Sequence, residues 1–193
     1  MNMQMPETEP AVIAGAQRGD RAAHETLYKL YSPLVYTLAR RMLITPALAE
    51  DALQETFVEV IRKIQTFRGD GNIGFWIRRI AVNKCLMYLR SSWNARQVDI
   101  EVPEITVSGG DENTDQQMAL EAALAKVSAT ARAVVWLHDV EGYTHKEIAR
   151  FMGKTTSFSK SQLARAHEKL RGYLADERDE DGSDICTPVL KTC

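Results

Sequence analysis

The sequence predicts an all-α protein: two small helical domains joined by a flexible acidic linker, the second containing a helix-turn-helix. Three observations lead there. Apolar residues recur at helical spacing from about Arg21 to Arg90 and again from Asp115 to Leu174. Between them the pattern is lost over Trp93 to Asn113, where Pro103, Ser108, Gly109 and Gly110 appear; residues 99–121 hold seven acids and no Lys or Arg. Finally, a short helical pattern ends at Gly153 and a longer one follows a few residues later, as a helix-turn-helix requires. The predicted divisions are a helical domain over 1–92, a linker over 93–113, a second domain over 114–175 and an acidic tail over 176–193.

In chain order, Ala11 to Gly19 reads as a short helix, with Asp20 capping the next. That next helix buries Ala23, Leu27, Leu30 and Tyr31, and Ser32-Pro33 is expected to restart it, since Ser caps and Pro suits a first turn. Leu34, Val35, Leu38, Ala39 and Met42 continue the apolar face up to Thr45-Pro46. The organising stretch is Ala47 to Arg90, two helices around a glycine-rich loop. In the first, Leu53, Phe57, Val60, Ile61 and Ile64 form the expected buried stripe, and Glu50, Gln54 and Glu55 lie off it. The second opens near Phe75-Trp76 and is expected to expose Arg78, Arg79, Asn83, Lys84 and Arg90.

In the second domain, Met118, Leu120, Ala123, Leu124 and Val127 form one apolar set. Ser128 caps Ala129 to Val140, and Thr144 with Glu147 makes a capping box for Lys146 to Met152. The long helix through Leu174 should lock on the short one through Ile148, Ala149, Met152, Leu163, Ala166 and Leu170. Ser157, Ser159, Lys160, Gln162, Arg165 and Lys169 should then face outward.

Charge narrows the function. Residues 60–98 hold eight Lys/Arg against one Asp, and residues 143–171 seven against two Glu, in a chain of net charge −2. Basic helices interleaved with rings suit a nucleic-acid backbone and its bases, although a solvated face over a core Trp has the same composition. Nothing points to catalysis: His24, His138, His145 and His167 form no acid–base or metal motif in sequence, and no phosphate-binding glycine signature occurs. No cofactor or metal is expected. Cys85, Cys186 and Cys193 are too few and scattered for a disulfide framework or closed zinc site. The N-terminus lacks a signal-peptide pattern, and no apolar run approaches the roughly 20 residues of a membrane span, so the expected location is cytoplasmic without membrane insertion.

Three motifs, Glu50-Asp51-Ala-Leu-Gln54-Glu55-Thr56-Phe57, Phe67-Arg68-Gly69 leading to Phe75 through Asn83, and Glu141 through Ala149 with Ser159 through Ala166, occur in one order. In them the chain resembles bacterial sigma factors of the extracytoplasmic-function (ECF) group, two-domain initiation subunits of RNA polymerase, over about residues 8 to 174. The resemblance implies a non-catalytic subunit that binds core RNA polymerase and promoter DNA and is held silent by an anti-sigma factor or other regulator. It implies core-polymerase contacts by Asp51, Gln54 and Glu55, with Phe57 packing beneath. Downstream-element contacts fall on Phe67, Arg68, Asn72, Trp76, Arg78, Arg79, Asn83 and Lys84, with the loop Thr66 to Gly74 capturing a flipped base. Upstream-element contacts fall on Thr144, Ser157, Ser159, Lys160, Gln162, Arg165 and Lys169. The acidic linker corresponds to the family's segment in the RNA path. Ser157-Phe158 departs from the Gly-Thr common in the family, placing Phe158 either as a plug of the helix pair or against a thymine methyl. Thr56 offers a hydroxyl whose phosphorylation would add charge to the docking face. A free-standing helix-turn-helix regulator would explain residues 115–174 alone and leave the acidic helix without a role.

Overall fold

The computed structural model of the chain describes residues 5–95 and 122–181. These fall into two compact units, residues 5–95 and residues 122–181. All regular structure among the described residues is helical. The expected linker beyond Ala95, the helix start at Asp115, and Cys186 and Cys193 lie outside them.

The first unit packs helices α1 (Pro10–Gln17), α2 (Arg21–Leu43), α3 (Pro46–Lys63) and α4 (Ile73–Ala95). Proline opens α1 and α3, where its missing N–H costs nothing. Asp20 caps α2 by accepting from Ala22 N at 2.9 Å, as expected. The expected break at Ser32-Pro33 is absent, and α2 runs 23 residues with Pro33 inside. Pro33 is exposed, while Leu27, Tyr31, Val35, Leu38 and Met42 bury one continuous stripe on either side of it. Burying five such side chains at roughly 1.5–3 kcal/mol each outweighs the ~3 kcal/mol cost of an interior proline. A 3₁₀ turn, Ile64–Thr66, follows α3. Helix α4 begins at Ile73, two residues earlier than Phe75, because Asn72 Oδ1 accepts from Gly74 N at 2.7 Å and so caps the first turn.

In the second unit, helical residues 122–125 lead to α5 (Ala129–Val135), a π-helical turn (Trp136–Val140), α6 (His145–Met152) and α7 (Thr156–Asp181). The Ser128 cap and the Thr144–Glu147 capping box are both present. Gly153, at φ +64°, takes the left-handed conformation that lets α6 stop and the chain turn into α7. Ile148, Ala149, Met152, Leu163, Ala166 and Leu170 are all buried and lock the pair. Helix α7 continues past the expected end at Leu174 into the acidic stretch, since no Gly or Pro follows Gly172 until Gly182. Arg132 is buried on α5, where its guanidinium donates to Leu124 O at 3.2 Å and Val127 O at 3.3 Å. Burial lowers its pKa to about 10, so it stays charged at neutral pH.

Candidate nucleic-acid and protein interfaces

On α3 the buried arc runs through Ala49, Ala52, Thr56, Phe57 and Val60, so the opposite side presents Glu50, Asp51, Gln54 and Glu55 to solvent. Phe57 lies beneath, edge-on to Tyr28 at 4.8 Å between ring centroids. Two residues differ from expectation. Ile61, placed by its spacing in the core, is 51% exposed and with Val58 adds an apolar patch to the acidic face. Each residue advances 100° around a helix, and Val60 already occupies the inward position. Thr56 is fully buried and donates to Ala52 O at 2.6 Å, so the folded protein gives a kinase no access to it.

Helix α4 sorts its cations. Arg79, Asn83 and Arg90 are exposed, and with Phe75 and Met87 they form one face at steps of three or four residues. Arg78 is not part of that face; it is 6% exposed, because it follows Ile77 into the bundle. Lys84 is half-buried and turned toward α3, 3.5 Å from Glu55 and 4.0 Å from Glu59. Tyr88 donates to Glu55 at 2.8 Å, and burial together with that carboxylate pushes its hydroxyl up to about 12. Part of the basic charge counted from sequence thus stitches α4 to α3.

The connecting loop begins at Phe67, buried and tilted against the half-buried Trp76 at 5.7 Å. Arg68 is exposed. Asn72 is half-buried with both ends of its amide engaged: Oδ1 in the α4 cap, and Nδ2 donating to Pro6 O at 3.0 Å.

In the second unit Ser157, Lys160, Arg165 and Lys169 are exposed along α7, and Gln162 is half-buried. Ser159 does not face outward: it is fully buried, and its Oγ lies 3.0 Å from His145 Nδ1, joining the start of α6 to α7. A serine is small enough to sit between two helices that a longer polar residue would separate. Thr144 is exposed, but its Oγ1 is held by Glu147, 2.7 Å from Oε2, in the capping box. Phe158 is half-buried, with Lys154 Nζ over its ring at 5.8 Å.

Around this pair lies a histidine cluster that sequence spacing did not reveal. Asp139 accepts from His167 at 2.6 Å and lies 2.8 Å from His138, which stacks on His145 at 4.5 Å. Burial, His138 and Lys160 lower the His145 pKa, against a smaller opposing effect of Asp139. A folded pKa below the unfolded value means that the unfolded chain takes up the proton first as pH falls, so this contribution to stability is lost below about pH 6.5. His145→Gln is therefore expected to lose less melting temperature than the parent between pH 7.5 and 5.5, measured by calorimetry. An equal loss in both proteins would show that His145 does not carry the effect.

Among the described residues no group of His, Cys, Asp or Glu is arranged to hold a metal ion, and no helix is long and apolar enough to cross a membrane.

An acidic helix beside a basic, ring-bearing one, together with a helix-turn-helix whose second helix is basic over residues 156–171, is the arrangement of a two-part helical DNA-binding protein. Residues 27–95 match the family model Sigma-70 region 2, and residues 117–170 match Sigma-70, region 4. The ECF RNA polymerase sigma factor SigM of Mycobacterium tuberculosis (strain H37Rv) is 30% identical over 170 residues, covering 86% of each chain. The ECF RNA polymerase sigma factor SigE of Mycolicibacterium smegmatis is 31% identical over 186 residues, covering 91% of this chain and 72% of the relative. The sigma factor RpoE of Bartonella quintana, solved with the anti-sigma factor NepR, shares the fold with a TM-score of 0.57 at 21% identity, covering 78% of this chain and 96% of that one. The chain belongs to the ECF RNA polymerase sigma factors of the sigma-70 family. It directs transcription initiation through regions 2 and 4 and is a non-enzymatic subunit of the polymerase.

Proposed function

We propose that the α3 face of Glu50, Asp51, Gln54, Glu55, Val58 and Ile61 docks on core RNA polymerase, with Phe57 as its buried support. The same reading has the loop over 68–71 and the exposed face of α4 open and read the downstream promoter element, while α7 lies in the major groove of the upstream element. The observation that carries it is the segregation of side chains in the first unit. Carboxylates and an apolar patch lie on α3; Phe75, Arg79, Asn83, Met87 and Arg90 lie together on α4. Charge-assisted contacts suit a surface that must bind and later release, and Val58 and Ile61 add apolar area to them. Arg79 and Arg90 suit phosphates, Asn83 a base edge, and Phe75 a base face, where stacking is worth roughly 1–3 kcal/mol per base. Arg78 and Lys84 support this surface from within. On α7, Ser157, Lys160, Gln162, Arg165 and Lys169 take the groove and its phosphates, while Thr144 and Ser159 hold the helix pair in shape.

The acidic part of the expected linker, residues 99–113, serves in this reading as a connector that raises each DNA-binding unit's effective concentration for the other and lies in the RNA path. The site of action is the cytoplasm. An anti-sigma factor, the kind of partner named with the Bartonella protein, would silence this chain by covering the α3 ridge.

In vitro transcription on a promoter library tests the reading: the chain added to core polymerase should confer start-site choice, and failure to do so would end it. Asp51→Lys should weaken holoenzyme assembly about tenfold, read by competition for core polymerase, without changing the melting temperature. Asp51 is a cleaner choice than Glu55, whose reversal would also break the contacts to Tyr88 and Lys84.

A further inference from the structure

The loop between Phe67 and Ile73 is tied down at both ends by the same N-terminal segment, one that precedes the matched region 2. At its entry, Gln17 Nε2 donates to Phe67 O at 2.9 Å and to Ile64 O at 3.3 Å. At its exit, Pro6 O accepts from Asn72 Nδ2 and from Tyr31 Oη, each at 3.0 Å, and Tyr31 Oη lies 2.8 Å from Thr8 Oγ1. Met5 is buried beside them, its sulfur 3.2 Å from where a side chain on Gly74 would begin. The middle of the loop is otherwise. Arg68, Gly69, Asp70 and Gly71 are exposed, and Gly69 and Gly71 face open space at φ +80° and +102°.

We propose that the segment from Met5 to Gln17 is a positioning clamp for the promoter-opening loop, with Gln17 holding its entry and the Pro6–Thr8–Tyr31 network its exit. The inference rests on the role given to that loop above. A loop with two left-handed glycines samples many conformations, and capturing an unstacked base requires it to hold one of them. Fixing both ends in the free protein means that less ordering opposes base capture, which is preorganisation. Docking of α1 does not by itself need Gln17: Ala16 is buried, and Gly15 approaches α2 closely enough that a Cβ there would lie 3.1 Å from Ala23. The Gln17 amide is spent on the loop.

The test uses holoenzyme made with the full chain, a duplex promoter, and the same promoter carrying a preformed bubble in the downstream element. Gln17→Leu and Tyr31→Phe should each lower initiation on the duplex about five- to tenfold, the effect of losing one or two hydrogen bonds, while staying within twofold of the parent on the bubble and in core affinity. Equal losses on both templates, or weaker core binding, would mean a merely structural contact and overturn the clamp. Normal initiation on the duplex would also overturn it. Arg68→Ala separates the two ideas: if it alone is defective on the duplex, the loop's role stands without the clamp; if it too is normal, both fall. Tyr31→Phe removes a single oxygen and carries the test should Gln17→Leu fail to fold.

Discussion

Gly74→Ala is expected to cost the first unit about 1–3 kcal/mol, the range for forcing extra volume into a packed site. An added Cβ would lie 2.7 Å from Tyr31 Cε1 and 2.9 Å from Asn72 Oδ1, closer than real Cβ atoms come. Neither neighbour yields easily. Tyr31 is fully buried with its hydroxyl bound to Pro6 O, and Asn72 is committed to the α4 cap on one side and Pro6 on the other. At roughly 4–8 °C per kcal/mol for a domain of this size, the transition of residues 5–95 should fall by at least about 4 °C in calorimetry of the full chain. The transition of residues 122–181 should stay in place. An unshifted first transition would mean that the Tyr31 ring moves aside without cost.

The double change Lys160→Glu and Arg165→Glu should reduce initiation on a duplex promoter about a hundredfold or more. Each base or phosphate contact on a reading helix is worth roughly 1–3 kcal/mol, and reversal adds repulsion from the backbone. Both side chains are exposed, so folding and holoenzyme assembly should be preserved. The measurement is run-off transcription at two salt concentrations, together with core-binding competition. Loss below threefold would remove α7 from the upstream element. A loss shared with core binding would instead place these residues on the polymerase side.

Counting from sequence puts eight cations in residues 60–98, but Lys84 lies against Glu55 and Glu59, and Arg78 is buried. The exposed face of α4 proposed to meet DNA is smaller and more aromatic than the count suggests, with Phe75, 60% exposed, at its start. The proposed docking face on α3 is likewise less polar than its motif, because Val58 and Ile61 extend it.

The sequence by itself determined most of the helices, several of their caps and the two-unit division, because these are set largely by neighbours within about four residues. Asp20, Ser128 and the Thr144–Glu147 box were legible for that reason, as were Gly153 and the interlocking apolar residues of α6 and α7. Motif order carried the family. Only the tertiary structure decided which of two nearby polar residues faces water: Arg79 but not Arg78 one position before it, Ser157 but not Ser159 two positions after it. Adjacent residues on a helix differ by 100°, and a hydrophobic stripe wider than that leaves its edges undecided until a second helix packs against it. The same holds for Pro33, carried through by burial on both sides, and for Gln17, whose partners Ile64 and Phe67 lie 47 and 50 residues further along the chain. Contacts at that separation leave no local signature in sequence, since they exist only once α1 has come to rest beside the turn that follows α3.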